Sequence, residues 1–342
     1  MNNILITGGA GFIGSAFARR MHDTRSDTKI LVLDALRYSG DIGNLGSALM
    51  NSDRVEFWQG SVNDVDLVNE LVSRSDAVVH FAAETHVARS LYGNREFFET
   101  DVLGTQSVAN AVLRSMDSIE RFIHVSTSEV YGTAEYEPMD ERHPLDPRTP
   151  YAAAKTGADR LVYSYMQSYD LPAVIVRPFN NYGPRQHLEK LVPRLITCML
   201  LGEPLSVHGT GEAARDWIHV DETVRAINLA LDAPLDRVRG EILNLGTGKA
   251  VSVLGVAEMV MAADPTGRAK IEFMEDRLGQ VETHIASIDH TRNVLGFEST
   301  IGLEEGLQRT IEWYRENEDW WSRLLGLRRV PVKLRDGTLV WY

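Results

Sequence analysis

Cysteine is nearly absent from this chain: Cys198 is the one thiol in 342 residues. A single cysteine excludes an internal disulfide and fits a reducing compartment, so a cytoplasmic setting is expected. Positive charge is scarce too, with 35 Lys and Arg against 48 Asp and Glu and a net charge of −13. That balance argues against nucleic acid as a partner, since a phosphate backbone is bound by basic surface. It leaves an anionic small substrate open, because screening over about 8 Å at physiological salt lets a local basic cluster act against the global sign. No apolar run approaches the roughly 20 residues that cross a bilayer, so no membrane partner is expected. The chain enters a strand pattern at once and leaves no room for a signal peptide. No His-x-x-x-His pair and no cysteine pair offers zinc-type spacing, and no metal is expected. Repeats and low-complexity tracts are missing as well.

What is present begins in the first fourteen residues. The apolar run Asn3-Ile4-Leu5-Ile6 leads without a break into Thr7-Gly8-Gly9-Ala10-Gly11-Phe12-Ile13-Gly14. Such a run reads as a buried parallel strand feeding a glycine turn and then a helix. Gly8, Gly11 and Gly14 let the turn close, let a pyrophosphate approach bare backbone, and let the helix pack on the strand. The helix N-terminus offers unpaired N–H groups and partial positive charge to that phosphate. About twenty residues beyond Gly14, a second apolar run, Ile30-Leu31-Val32-Leu33, ends in Asp34. An acid there accepts hydrogen bonds from a ribose 2′-hydroxyl and repels a 2′-phosphate, so NAD is the expected cofactor. Arg37 lies nearby and leaves a phosphate-bearing cofactor as the alternative.

Apolar runs then alternate with helical patterns. The strand candidates are Ile4–Thr7, Ile30–Leu33, Val55–Trp58, Ala77–His80, Phe122–Ser126 and Ala173–Val176. Helix-period segments fall near 12–22, 64–73, 95–115 and 151–169. This alternation predicts an α/β fold: a doubly wound parallel sheet of Rossmann type, with ligand groups beyond the carboxyl ends of its strands. Beyond about residue 180 the pattern loosens around Gly183, Pro184, Gly202, Pro204, Gly209 and Gly211, which suggests a smaller C-terminal α/β lobe. We therefore expect a nucleotide lobe over 1–180, a substrate lobe over 181–329 with some segments crossing over, and a tail over 330–342. Gly302–Asn317 reads as an amphipathic helix closing the second lobe. The tail alternates around Asp336-Gly337, a hairpin signal, and should dock on the body or on another subunit.

Tyr151 and Lys155 are four apart at a helix entrance marked by Pro150. An i, i+4 pair shares one helical face. A phenol with an ordinary pKa near 10 is a poor base at neutral pH, but an adjacent ammonium and a positive nicotinamide both favour phenolate. Lowering it by three units takes about 4 kcal/mol of differential interaction, which a dry cleft can supply. Some 25 residues upstream an apolar strand ends in Ser126-Thr127-Ser128-Glu129, where Thr127 would hydrogen-bond the reacting hydroxyl.

Together, Gly8-x-x-Gly11-x-x-Gly14, Asp34 and Tyr151-x-x-x-Lys155 resemble the extended short-chain dehydrogenase/reductase family. More narrowly, the chain is similar to nucleotide-sugar 4,6-dehydratases of the dTDP-glucose type from residue 1 to about 324. The strings that carry this are Ala82-Ala83-Glu84-Thr85-His86-Val87-x-Arg89-Ser90, His124-Val125-Ser126-Thr127-Ser128-Glu129-Val130-Tyr131-Gly132, Asn180-Asn181-Tyr182-Gly183-Pro184, Glu189-Lys190-Leu191-Val192-Pro193, Arg215-Asp216-Trp217 and Trp313-Tyr314-Arg315-Glu316-Asn317.

The resemblance implies a redox cycle without net redox change on a nucleotide-diphosphate sugar. Tyr151, aided by Lys155 and Thr127, would take the proton of the carbon-4 hydroxyl while hydride passes to NAD. Glu129 would then remove the carbon-5 proton, water would leave from carbon 6, and hydride would return there. The resemblance further implies a cofactor site of Gly8, Gly11, Phe12, Ile13, Gly14, Asp34, Ser61, Val62, Phe81, Ala82, Ala83, Thr100 and Asn181 with the Tyr151–Lys155 pair. It implies a substrate site of Thr85, Thr127, Asn180, Lys190, Leu191, Val207, Arg215, Asn244 and Arg277, the last beside Asp276. A homodimer built on the helices near 95–115 and 151–169 is implied as well.

Two positions depart from the pattern. Ser128, counted among the candidate catalytic residues, stands where the dTDP-glucose enzymes carry an Asp that acts as acid for the departing hydroxide, although Thr-Ser-Glu occurs in GDP-mannose dehydratases and UDP-glucuronate decarboxylases. Asp101 stands where Asn is usual, and no role is assigned to it. The rivals on this fold are a UDP-glucuronate decarboxylase, which usually lacks the Glu84–Ser90 string, and a 4-epimerase, which usually lacks the glutamate at 129. A non-catalytic NAD-binding regulator is the reading from another class, and the joint presence of Thr127, Glu129, Tyr151 and Lys155 argues against it.

Overall fold

The computed structural model describes residues 1–275, 282–334 and 337–341. The apolar runs of the first lobe are buried on both faces, and that fixes their arrangement. Strands β1 (Asn3–Thr7), β2 (Lys29–Asp34), β3 (Val55–Gln59), β4 (Ala77–His80), β5 (Arg121–Val125) and β6 (Ala173–Pro178) lie parallel in the order β6-β5-β4-β1-β2-β3. Alternate residues point to opposite faces, so Ile4, Ile6 and Val32 enter one core while Leu5, Leu31 and Leu33 enter another. Two apolar faces need two helical layers, and the helices between the strands supply them. The expected helices appear as Phe12–Thr24, Val65–Ser73 and Pro150–Tyr169. The segment expected over 95–115 is a continuous helical run with a change of pitch: Arg95–Phe97, a π-helical stretch Phe98–Gly104, then Thr105–Arg114.

The second lobe is assembled from short pieces. Strand β9 (Ala214–His219) is its hub, pairing with β7 (Asn180–Tyr182), antiparallel β11 (Ala250–Ser252) and β13 (Thr283–His284). Strand β8 (Leu205–His208) pairs with β12 (Ile271–Met274). Helices Leu191–Leu201, Val253–Ala262 and Leu303–Glu316 close over them around Ile196, Trp217, Val256 and Tyr314. Residue 180 is not a clean boundary. Strand β10 (Ile242–Leu245) returns to pair with β6 as the seventh strand of the large sheet. Helix Val220–Asp232 likewise packs Val224, Ile227 and Leu231 into the first core.

The tail is a hairpin of β14 (Pro331–Lys333) and β15 (Leu339–Trp341). Gly337, at φ 89°, occupies the left-handed region that its turn requires. The hairpin docks on the body: Val330 and Leu334 bury against Ala88 of helix Val87–Tyr92, with Val340 alongside. Among the described residues no helix is long and apolar enough to cross a membrane.

Candidate active site

Six strands of the large sheet, β1 to β6, end at one cleft of about 450 Å³. At the end of β1, Gly8 has φ +66°, and a Cβ there would lie 2.5 Å from the backbone nitrogen of Ala82. Only glycine lets these two chain segments approach so closely. Helix Phe12–Thr24 follows with no side-chain cap and no acid in its first turn, so its N–H groups and dipole remain available to a pyrophosphate. At the end of β2, the Asp34 carboxylate accepts from Ala10 N and Leu36 N, both at 2.8 Å, and is held facing the cleft. Burial pushes its pKa up while these backbone donors work against that shift. A ribose diol can donate to such a fixed carboxylate, and a 2′-phosphate would be repelled by it. Arg37 pairs with Glu96 at 3.2 Å and Glu84 at 3.8 Å, which removes it from the phosphate role left open by the sequence. The cradle fits NAD.

The chemistry-bearing residues come from β5 and the helix after it. Thr149 caps helix Pro150–Tyr169 by accepting from Ala152 N at 3.2 Å, so that helix begins at the very point that turns Tyr151 and Lys155 into the cleft. Lys155 Nζ donates to Val125 O at 2.8 Å and ties the helix to the end of β5. Beyond that strand, Thr127 accepts from Glu129 N at 3.3 Å and caps the single turn Ser128–Tyr131, which presents Glu129 to the same cleft. The Thr127 hydroxyl is hydrogen-bonded to Tyr151.

The electrostatics of Tyr151 differ from the sequence expectation. Burial raises the phenol pKa, Asp101 and Glu129 raise it further, and the Thr127 hydrogen bond lowers it. Lys155 is itself pushed down by burial, with Asp101 and Asp159 holding it up. Burial and the two carboxylates thus push the phenol up, and the positive nicotinamide ring of bound NAD would be a charge that favours phenolate.

Nearly all the expected site residues meet in this cleft. Thr127, Glu129, Tyr151 and Lys155 line it, as do Gly8, Gly11, Phe12, Ile13, Gly14, Asp34, Ser61, Val62, Phe81, Ala82, Ala83, Thr100 and Asn181. On the substrate side Thr85, Asn180, Lys190, Leu191 and Arg215 line it too. Lys190 Nζ donates to Thr85 O at 2.7 Å, joining the two lobes across the gap.

Three residues stand elsewhere. Ser128 is buried away from the lining, because the turn that presents Glu129 rotates its neighbour inward. Val207 sits in the core of the second lobe. Asn244 is fully buried, with its Oδ1 accepting from Tyr131 Oη at 2.7 Å and its Nδ2 donating to Met139 O at 3.0 Å. Its amide serves the wall behind the cleft. Arg277 and Asp276 lie outside the described residues.

Other residues come into view only in three dimensions. Asp159 takes paired bonds from Arg177, both at 2.9 Å, and a third from Ser126 at 2.7 Å. Arg177 also donates to Tyr131 Oη at 2.9 Å, so one network braces the ends of β5 and β6. Asp159 is four residues from Lys155, and that spacing was the available signal. Glu189 is enclosed by Tyr38 Oη at 2.9 Å and Arg89 Nε at 2.8 Å, with the guanidinium 4.3 Å above the Tyr38 ring. In the π-helical stretch, Thr100 reaches the cleft and Asp101 is buried beneath it, accepting from Glu84 N at 2.7 Å. Burial pushes the Asp101 carboxyl up to about 8 and Glu84 up to about 7.

Comparison with known proteins agrees with this geometry. The family model described as GDP-mannose 4,6 dehydratase matches residues 5–310. The low-salt glycan biosynthesis protein Agl12 of Haloferax volcanii is 41% identical over 318 residues, 93% of this chain and 100% of that protein. A dTDP-glucose 4,6-dehydratase of Streptomyces niveus is 39% identical over 325 residues, covering 94% of this chain and 95% of that one. The crystal structure of DesIV, a dTDP-glucose 4,6-dehydratase of Streptomyces venezuelae with NAD bound, matches with a TM-score of 0.86 at 36% identity, over 94% of this chain and 99% of that one. The resemblance read from the motifs and the cleft built at the strand ends thus lead to one conclusion: the chain belongs to the nucleotide-sugar 4,6-dehydratases of the short-chain dehydrogenase/reductase family.

Proposed function

We propose that this enzyme converts a nucleotide-diphosphate hexose into the 4-keto-6-deoxyhexose derivative and water, with Thr127, Glu129, Tyr151 and Lys155 as its catalytic residues. The observation that carries the reading is the meeting of Glu129 with Tyr151, Lys155 and Thr127 in one cleft beside a dinucleotide turn. NAD, when bound, takes hydride from carbon 4 and returns it to carbon 6. Tyr151 accepts the proton of the carbon-4 hydroxyl, and Thr127 holds the phenol in place. The new carbonyl acidifies carbon 5, and Glu129 removes that proton. Glu129 then holds a carboxylic acid proton that it gives to the hydroxyl leaving carbon 6, since Ser128 is turned away from the lining. Carbon 5 takes up the proton that Tyr151 released, so the sum is loss of one water. Thr85 touches the sugar, Asn180 the diphosphate or sugar, Lys190 and Leu191 border the nucleotide, and the Arg215 guanidinium is suited to phosphate oxygens.

Glu129→Gln tests this reading. The amide keeps the size but cannot accept a proton. With dTDP-glucose as the first substrate assayed, bound NAD should still be reduced while elimination falls by about 10²–10⁴. Elimination at the wild-type rate would remove Glu129 from the mechanism. A decarboxylase would depend on Glu129 less, and an epimerase hardly at all.

The enzyme works as a homodimer in the cytoplasm in this reading. Exposed Phe98 and Leu103 on the run Arg95–Arg114, and Tyr169 at the end of helix Pro150–Tyr169, offer the apolar surface for a second copy. Leu103→Glu should give a monomer by light scattering, and an unchanged mass would place the interface elsewhere.

A further inference from the structure

The family match stops at residue 310, and the chain continues from there across the mouth of the cleft. After Trp320 donates to Asn44 and Arg323 pairs with Asp41, the stretch from Arg328 on is held by both lobes. On the substrate lobe, Arg328 Nη2 donates to Glu203 at 2.6 Å and Nη1 lies 3.6 Å from Cys198 Sγ, at the end of helix Leu191–Leu201. On the nucleotide lobe, Val330 and Leu334 bury against Ala88 of helix Val87–Tyr92. Between these anchors Val330 is 2% exposed to solvent, yet it lines the cleft with Val87, Leu91, Leu191 and Val192. Thr85 and Lys190, joined at 2.7 Å, line the same cleft, and Thr85 stands three residues before Ala88.

We propose that the segment Arg328–Leu334 is a strap whose Val330 side chain forms the end wall of the sugar subsite and sets how large a hexose the enzyme accepts. The proposal rests on the reading of Thr85 and Leu191 as substrate-bordering residues. The physical argument is steric. A branched side chain fixed from both ends cannot withdraw when a ring substituent pushes against it, whereas a loop held at one end could. Ala88 and Leu334 pack behind Val330, so its position is set by the hydrophobic contact and by the Arg328–Glu203 ion pair rather than by the substrate. The wall is therefore rigid and discriminates by size.

The test compares two ligands that differ only in the sugar: a nucleoside-diphosphate glucose and the matching N-acetylglucosamine derivative. Binding of each, and of the nucleoside diphosphate alone, is measured by calorimetry on NAD-loaded wild type, Val330→Ala and Val330→Phe. In Val330→Ala the ratio of affinities should move toward the N-acetyl sugar by about tenfold, the usual worth of a methyl-sized change in an apolar pocket. In Val330→Phe both sugars should bind more weakly, the larger one more so, and KM for glucose turnover should rise while kcat holds. Affinity for the nucleoside diphosphate alone and NAD content should stay at wild-type values in both variants, while the melting temperature falls by a few degrees because Val330 is part of a buried apolar cluster. An unchanged sugar ratio in Val330→Ala, or an equal loss for the nucleoside diphosphate alone, overturns the proposal. Because the ratio is read from binding, it is separable from the catalytic reading: a wild type that binds the glucose derivative without forming a keto product overturns the dehydratase assignment and still reports on the wall. A wild type that binds neither sugar overturns both.

Discussion

Two pairs of buried carboxyls, one of whose members (Asp159) is on the catalytic helix itself, have opposite electrostatics. Asp159 and Glu189 are both enclosed, and both are held below the ordinary carboxylate range against the cost of burial: Asp159 by Arg177 and Arg160, Glu189 by His86, Lys190, His187 and the Arg89 hydrogen bond. Asp101 and Glu84 are as deeply placed and are pushed up instead. Asp101 has one backbone donor on Oδ1 and no partner on Oδ2, and the nearest cation to Glu84 is Arg37 at 3.8 Å. Desolvation acts on all four, and paired donors decide the outcome. Of the ionised pair, Asp159 braces the scaffold behind the cleft and Glu189 forms part of its lining. Of the protonatable pair, Asp101 acts on Tyr151, where a fixed negative charge would oppose the phenolate the reaction needs.

Breaking the brace should have the largest effect. Asp159→Ala leaves the Arg177 guanidinium buried without its bidentate partner, and should destabilise the enzyme by about 3–5 kcal/mol. Urea unfolding measures it. A loss below about 1 kcal/mol would mean that Tyr131 and water replace the carboxylate.

The other side of the comparison is sharpened by Glu84→Gln. A carboxyl raised from 4.5 to about 7 contributes stability that is fully present below about pH 4.5 and is lost as pH rises through about 7. The variant without that group should therefore be more stable than wild type at about pH 8, by something on the order of 1–3 kcal/mol, with the gap closing at about pH 5. Thermal melts of the NAD-free protein at both pH values read it. A variant less stable at pH 8 would show that the Arg37 pairing outweighs the burial cost.

Asp101→Asn should do least. The amide oxygen still accepts from Glu84 N, and near neutral pH the carboxyl it replaces is already uncharged. Rates of carbon-4 oxidation should match wild type below about pH 7. Above about pH 8, wild type carries a negative charge that raises the Tyr151 phenol, and the variant should be faster by about two- to fivefold. A pH profile of single-turnover NAD reduction separates the two, and a rate deficit at all pH values would give Asp101 a structural role only.

Much of this was written locally. The first six strands of the large sheet announced themselves as apolar runs, whereas the seventh, β10, was not among those expected; the glycine turn and Tyr151–Lys155 spacing placed the cleft before any contact was known. The hairpin at Gly337 was legible from its alternation. What stayed hidden depends on partners distant in sequence. Arg177 reads as a polar break in a strand until Asp159 is found beside it. Asn244 and Val207 came from resemblance alone, and their side chains turn into the walls behind the lining. Helix periodicity spanned 95–115 without showing the π-helical stretch that buries Asp101. Burial of Tyr151 reversed the direction expected for its pKa, because spacing reveals a neighbouring ammonium but not the loss of water.

The return of β10 to the edge of the large sheet changes what a lobe means here. Residues 242–245 complete a layer begun at residue 3, after the chain has already visited the other side of the cleft. The nucleotide half is thus stitched through the substrate half, and cutting the chain at 180 would leave β6 with an open row of backbone donors and acceptors ready to recruit a foreign strand. Neither half can be lifted out, expressed or shuffled as a cassette. A recombination that swaps substrate ranges between relatives has to carry the crossing segment with the sheet it finishes, and the allowed cut points fall in the loops around that strand rather than at the visible gap between lobes.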